Sequence, residues 1–123
     1  MNNRPLVSVV DDDESVRESL PDLLREFGFT SLSFSSAEEF LASEYISLTN
    51  CLILDVGMPG MSGLELQREL KLRGQNIPIV FITANRDDGV RPRVLAQGAV
   101  ACLFKPFSDT ALLEALNMAL RVN

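Results

Sequence analysis

Five short apolar runs recur along the chain, each followed by a polar turn and a segment with helical spacing. Leu6 to Val10 is apolar nearly throughout, as a parallel strand covered on both faces should be. Val16, Leu20, Leu23, Leu24 and Phe27 then fall at helical spacing, predicting a first helix from about Glu14 to Phe27 that Gly28 ends. Pro21 lies inside it and should kink it. Phe29 to Phe34 alternates enough for a strand at a sheet edge. Ser36-Ala37-Glu38-Glu39 reads as a capping box opening a short second helix, with Phe40 and Leu41 facing inward. Cys51 to Leu54 is the third strand. Ser62-Gly63-Leu64-Glu65 is a second capping box, for a third helix running to about Arg73 and stopping at Gly74. Ile79 to Ile82 is the fourth strand. Pro92 is tolerated only near a helix start, which predicts a short fourth helix from about Val90 or Arg91 to Gln97, closed by Gly98. Val100 to Phe104 is the fifth strand. Ser108 or Asp109 caps a fifth helix with Leu112, Leu113, Leu116 and Leu120 as its apolar stripe.

Strand and helix alternating five times predict an α/β fold: a doubly wound, five-stranded parallel sheet with five helices on its two faces and right-handed crossovers. Five such units favour the flavodoxin-like order 2-1-3-4-5. The whole chain, residues 1–123, reads as one domain. In that order the fourth strand separates Cys51 from Cys102, so both read as buried thiols rather than a disulfide.

Four of the five runs end in groups with chemistry. The first ends in Asp11-Asp12-Asp13, the third in Asp55, the fourth in Thr83 and the fifth in Lys105-Pro106. In parallel strands these emerge at one carboxyl edge, where ligands bind in open α/β sheets. Asp13 reads as a helix cap, but one cap does not account for Asp11 and Asp12 at the end of a buried strand. Two unit charges about 4 Å apart repel by roughly 4 kcal/mol at an effective dielectric of 20. With Asp55 added, the cluster needs a cation or a proton, and Mg²⁺ suits it. The Gly- and Pro-rich turn from Gly57 to Gly63 leaves Asp55 at the edge and permits the Gly57 carbonyl to serve as a further metal ligand. An Asp carboxylate beside Mg²⁺ is a competent nucleophile toward phosphorus. Thr83 can donate to a phosphoryl oxygen and Lys105 can neutralise another. Pro106 after a buried strand suggests a tight turn, with a cis peptide as one way to aim Lys105 over the site.

Composition narrows the function classes. The 123 residues are 46% hydrophobic, enough for a core without disulfides or structural metal. A net charge of −6 disfavours direct nucleic-acid binding by these residues. There is no histidine, so any phosphohistidine must belong to another protein. No apolar run approaches membrane-spanning length, and the acidic cluster comes too early for a signal peptide; the expected location is the cytoplasm.

The stretches VVDDD, LILDVGMPGMSG, IPIVFITA and FKPF, in this order and spacing, resemble bacterial two-component response-regulator receiver domains over the whole chain. The resemblance implies a CheY-like fold and a phosphoacceptor role. Asp55 would take a phosphoryl group from a sensor histidine kinase. Asp12 would contact Mg²⁺ directly, Asp11 mostly through water, and the Gly57 carbonyl would complete the protein ligands. Thr83 would hydrogen-bond the phosphoryl group and Lys105 would pair with it. Phosphorylation would shift the face of helix four, strand five and helix five toward an active state. Such a domain is not an enzyme beyond its own phosphorylation and dephosphorylation. LFKPFSDTALLEAL and the loop from Asp55 to Ser62 most resemble receivers preceding a LuxR-type helix-turn-helix domain. This points to transcription as the output, through a domain not among these residues or through a separate effector. Homodimerisation on phosphorylation is a further option on family grounds.

Two positions depart from the family pattern. Cys102 stands where an aromatic residue is common three positions before the Lys, implying a muted switch or one using other side chains. Pro92 should shorten or reorient the fourth helix. Gly57, Ala84 and Asn85 line the solvent approach to the site. The competing readings are three. A pseudo-receiver would keep the fold as an interaction module, but that class usually loses the acid pair, the Asp or the Lys. A haloacid-dehalogenase-type phosphatase needs an acid at position 57, which is Gly. A flavin mononucleotide carrier needs a Ser/Thr-rich loop where three aspartates stand.

Overall fold

The computed structural model describes residues 4–84 and 89–121, so Asn85 lies outside the described residues. The elements are β1 (Leu6–Val10), α1 (Glu14–Glu26), β2 (Thr30–Phe34), α2 (Ala37–Leu41), β3 (Cys51–Asp55), α3 (Gly63–Leu72), β4 (Ile79–Thr83), α4 (Val90–Ala96), β5 (Ala101–Phe104) and α5 (Asp109–Arg121). The strands form one parallel sheet in the expected order β2-β1-β3-β4-β5.

Side chains alternate across a strand, so each central strand feeds two cores. Val10 of β1, Leu52 and Leu54 of β3, and Ile79 and Phe81 of β4 pack beneath α2, α3 and α4, with Phe40, Leu66, Leu70 and Val94. Their sequence neighbours Val9, Cys51, Ile53, Val80 and Ile82 pack beneath α1 and α5, with Leu20, Leu24, Leu112 and Leu116. Burial on both faces explains why these runs are apolar without alternation. Both cysteines are buried and free. Burial pushes the Cys51 thiol up to about 12, so it is an inert packing group.

Helix α1 runs on past Pro21 and ends where Gly28 turns with φ 95°. Gly74 and Gly98 close α3 and α4 with φ of 74° and 102°. Helix α4 begins at Val90, so Pro92 sits in its first turn, where backbone N–H groups have no intrahelical partner. Of the two expected capping boxes, Ser62–Glu65 is complete. The other is half-formed: Ser36 Oγ accepts from the Glu39 N–H, but the Glu39 carboxylate turns to the Ser35 N–H, at 2.6 Å. Strands β2 and β5 start one residue later than expected, and β4 reaches Thr83. Ser108, rather than Asp109, caps α5 by accepting from the Ala111 N–H. A single 3-10 turn, Ile46–Leu48, lies before β3 and has no periodicity to announce it.

Ser62 anchors α3 directly after the loop that follows Asp55. Ser62→Ala removes the side-chain acceptor for the Glu65 N–H and is expected to cost about 1 kcal/mol. Urea denaturation should read this as a lower midpoint with an unchanged slope.

Candidate functional site

The carboxyl edge of the sheet is where β1 and β3 stop side by side, Val10 opposite Leu54. The next residue on β1 is Asp11, and β3 closes with Asp55. Asp11 is fully buried, Asp55 is 7% exposed and Asp12 is exposed. One carboxylate oxygen from each of Asp11, Asp12 and Asp55 lies within 4.8 Å of the others. That is compact enough to share one hard cation with oxygen ligands at about 2 Å. Asp13 is different. Its carboxylate caps α1, accepting from the Ser15 hydroxyl and N–H, and these bonds hold its pKa below the usual value.

Asp11 is held from several directions. Its Oδ1 accepts from the Asp13 N–H at 2.9 Å, and its Oδ2 accepts from Lys105 Nζ at 2.9 Å. Its backbone carbonyl accepts from Arg17 Nη1 at 2.9 Å. Lys105 stands 3.9 Å from Asp55 Oδ2 as well. Burial opposes the charge on Lys105. The Asp11 hydrogen bond and the fields of Asp55, Asp11 and Asp13 outweigh it, so its pKa is raised and the ammonium is fixed at neutral pH. The Lys105–Pro106 peptide is cis. The Lys105 N–H donates to the Thr83 carbonyl at 2.8 Å, tying the ends of β4 and β5 together.

Asp55 carries the strained electrostatics. Burial first, then the negative charge of Asp11, push its carboxyl up to about 7 despite the opposing field of Lys105. Three acids beside one ammonium leave negative charge in excess, which a divalent cation would relieve. Thr83 ends β4 and is 2% exposed. Asp55 pairs in register with Ile82, so Thr83 is one residue further along the same edge. Gly57 is exposed, and its N–H donates to Asp55 Oδ1 at 3.4 Å.

The predicted residues Asp11, Asp12, Asp55, Thr83 and Lys105 therefore share one edge, with Gly57 beside Asp55. Three features escaped the sequence reading. Asp11 is the resting partner of Lys105. Arg17 braces the Asp11 backbone, although in sequence it is one more polar residue on an amphipathic helix. Gly63 lies against the backbone of Asp55: a Cβ there would overlap the Asp55 carbonyl oxygen and come within 3.0 Å of Val56 Cα.

Two further features flank the site. A cleft of about 630 Å³ runs beside α1 and the loop after β5, bordered by Val16, Leu20, Leu23, Lys105 and Phe107. On the other side, the Arg91 guanidinium of α4 stands 5.0 Å over the Phe104 ring, and Phe104 pairs in register with Thr83. Cys102 is 1% exposed, on the core face beneath α4.

A parallel sheet in this order, with an acid cluster, a hydroxyl and a lysine at its carboxyl edge, defines a receiver-type domain. The profile of the family described as Response regulator receiver domain matches residues 7–117, and the chain belongs to that family. Among relatives, it is 44% identical over 115 residues to Nodulation protein W of Bradyrhizobium diazoefficiens, covering 94% of this chain and 51% of that protein. It is 43% identical over 117 residues to the response regulator protein TodT of Pseudomonas putida F1, covering 95% and 52%. Similarity to the transcriptional regulatory protein FixJ of Rhizobium meliloti is 41% over 113 residues, covering 92% and 55%. The chain thus spans about half the length of the curated relatives it matches. Among solved structures, the response regulator StyR superposes with a TM-score of 0.90 at 47% identity, covering 98% of this chain and 61% of StyR. FixJ-N superposes with a TM-score of 0.88 at 37% identity, covering 98% and 97%. The CheY-like architecture extends to Vibrio cholerae CheY4, with a TM-score of 0.86 at 28% identity, covering 96% and 100%. No helix among the described residues is long and apolar enough to cross a membrane.

Proposed function

We propose that this chain is the phosphoacceptor module of a two-component phosphorelay, with Asp55 as the acceptor. The observation that carries the reading is the convergence of the Asp11, Asp12 and Asp55 carboxylates within 4.8 Å, with Lys105 Nζ 3.9 Å from Asp55. An Asp55 carboxylate oxygen attacks the phosphorus of a phosphohistidine on a sensor histidine kinase. The O–P bond forms, the P–N bond breaks, and the imidazole leaves with the bonding pair. Asp11, Asp12, Asp55 and the Gly57 carbonyl would hold Mg²⁺, which when bound offsets negative charge on the carboxylates and on the incoming phosphoryl oxygens.

The protein's own groups do the rest. Lys105 sits within reach of both Asp11 and Asp55, so a phosphoryl group on Asp55 competes with Asp11 for its ammonium. Thr83 supplies a hydroxyl at the same edge. The cleft beside α1 abuts Lys105 and offers Val16, Leu23 and Phe107 as apolar ground for the kinase's phosphohistidine-bearing domain. The Arg91–Phe104 contact joins α4 to β5 beside Thr83, a route to the α4, β5 and α5 face that does not require an aromatic side chain at Cys102. The domain catalyses nothing beyond its own phosphorylation and dephosphorylation, and acts in the cytoplasm. Its output is transcription, through a DNA-binding domain or a separate effector. That part of the reading rests on relatives that include transcriptional regulatory proteins. Homodimerisation through the same face on phosphorylation belongs to this reading too.

Incubation with acetyl phosphate and Mg²⁺, followed by intact mass measurement, tests the chemistry. One phosphoryl adduct is expected, absent with EDTA and absent in Asp55→Asn. A folded protein that takes no adduct from acetyl phosphate, phosphoramidate or beryllofluoride would instead be an interaction module that keeps the fold alone.

A further inference from the structure

Asp11, Asp12 and Asp13 carry the chain from β1 to α1 across the acid cluster, and each is held differently. The Asp11 N–H donates to the Phe34 carbonyl of β2 at 3.2 Å, and the Asp13 N–H donates to Asp11 Oδ1 at 2.9 Å. The Asp13 carbonyl accepts from the Val16 and Arg17 N–H groups at the start of α1. Asp12 lies between these anchors, exposed and in a bend, and forms no hydrogen bond of its own among the described residues. Its carboxylate nevertheless has an oxygen within 4.8 Å of those of Asp11 and Asp55. The peptide that joins Asp11 to Asp12 is fixed at its carbonyl, which accepts from Arg17 Nη1 at 2.9 Å. A peptide unit is planar, so holding that oxygen also fixes the direction in which the Asp12 Cα leaves it.

The partner of Arg17 is informative. Asp12, Asp13, Glu14 and Glu18 all lie within five residues of it in sequence. Among the described residues its guanidinium nevertheless forms no ion pair with a carboxylate and bonds a neutral backbone carbonyl instead. Arg25 and Arg73, by contrast, pair with the carboxylates of Asp22 and Glu69. A cation beside an acid cluster weakens the field that draws a metal ion, so by charge alone Arg17 hinders metal binding. Bracing Asp12 acts the opposite way, and it acts selectively. Mg²⁺ demands near-ideal octahedral geometry, whereas Ca²⁺ accepts a looser ligand set.

We propose that Arg17 is a positioning residue for the cation site: by holding the Asp11–Asp12 peptide it pre-sets the Asp12 carboxylate for Mg²⁺ and favours Mg²⁺ over Ca²⁺. It acts through the backbone and supplies no ligand. The inference rests on the reading of Asp11, Asp12 and Asp55 as a divalent-cation site, and not on phosphoryl transfer to Asp55.

Arg17→Met keeps the aliphatic stem and removes both the charge and the donor. Arg25→Met is the control, because it removes a cation of the same helix that pairs with Asp22 alone. Mg²⁺ and Ca²⁺ are titrated separately into the ¹⁵N-labelled, metal-free parent and variants, following the amides of Asp12 and Gly57. Arg17→Met is expected to bind Mg²⁺ about fivefold more weakly than the parent while its Ca²⁺ affinity stays within about twofold. Arg25→Met should leave both affinities within about twofold of the parent. In the metal-free state the Asp12 amide should lose order in Arg17→Met, while that of Val9 in the buried strand keeps it. Mg²⁺ binding that is unchanged or tighter in Arg17→Met, or Mg²⁺ and Ca²⁺ affinities that fall by the same factor, would overturn the proposal. A parent that binds no Mg²⁺ overturns it together with the cation site. The acetyl phosphate experiment reports separately on Asp55: a parent that prefers Mg²⁺ but takes no adduct defeats the phosphoacceptor reading alone.

Discussion

Gly63→Ala is expected to destabilise the domain by about 3 kcal/mol, although alanine is the better helix former and the position is the first residue of α3. The reason is the packing of α3 against the end of β3. The Gly63 N–H donates to the Val56 carbonyl at 2.9 Å, which brings the start of the helix directly onto the backbone that carries Asp55. A methyl group there meets the Asp55 carbonyl oxygen, the Asp55 carbonyl carbon at 3.1 Å and Val56 Cα at 3.0 Å. All three are backbone atoms, so no rotamer change relieves the overlap and the strand end or the helix must move. Gly57→Ala is the matched control. A Cβ at Gly57 meets nothing within 4 Å, and the change is expected to stay within about 0.5 kcal/mol. Urea denaturation of both variants decides the matter: equal midpoints would mean that the close approach at Gly63 carries no structural weight.

Gly63 also marks where sequence reading stops. The capping box at Ser62 and Glu65 names the helix start from side-chain chemistry alone, because the interactions are local. The contact between Gly63 and Asp55 is set by the three-dimensional return of the loop, and a lone glycine after a capping serine does not announce it. The same division runs through the site. Asp11, Asp55, Thr83 and Lys105 were legible because each stands directly after a continuous apolar run, and parallel strands bring such positions to one edge. Which groups pair there was not legible. The hydrogen bond from Lys105 to Asp11 joins residues 94 positions apart, and a resting partnership with Asp55 would have been equally consistent with the sequence. The Arg17 contact with the Asp11 carbonyl is hidden for a related reason: Arg17 belongs to an amphipathic helix in which any single polar side chain reads as solvated. The half-formed capping box at Ser36 has a local cause: Ser35, just outside the motif, offers the Glu39 carboxylate both its N–H and its hydroxyl.

The metal-free protein should lose stability as pH rises from about 4 to about 7, and Asp55→Asn should remove that loss. Burial and the charge of Asp11 raise the Asp55 carboxyl from 3.8 to about 7 in the folded chain, whereas the unfolded chain releases this proton near the ordinary value. Below pH 3.8 both states keep the proton, and the favourable contribution of neutral Asp55 to the fold is fully present. Between the two values the native state holds a proton that the unfolded state has shed, so unfolding becomes easier with each unit of pH. Above about 7 both states are ionised and the loss is complete. Three pKa units correspond to at most about 4 kcal/mol, and relaxation around a partly solvated cluster should reduce this to about 2 kcal/mol. Asp55→Asn keeps the shape without the charge, so the variant should exceed the parent in stability at pH 8 and approach it at pH 4. Saturating Mg²⁺ should close the gap at pH 8 from the other side, by binding the ionised parent and not the unfolded chain. Thermal or urea unfolding of both proteins at the two pH values, with EDTA and with Mg²⁺, measures all of this. A parent and variant that differ by the same amount at pH 4 and pH 8 would show that Asp55 is not held neutral by its surroundings. The cluster would then have no electrostatic demand for a cation.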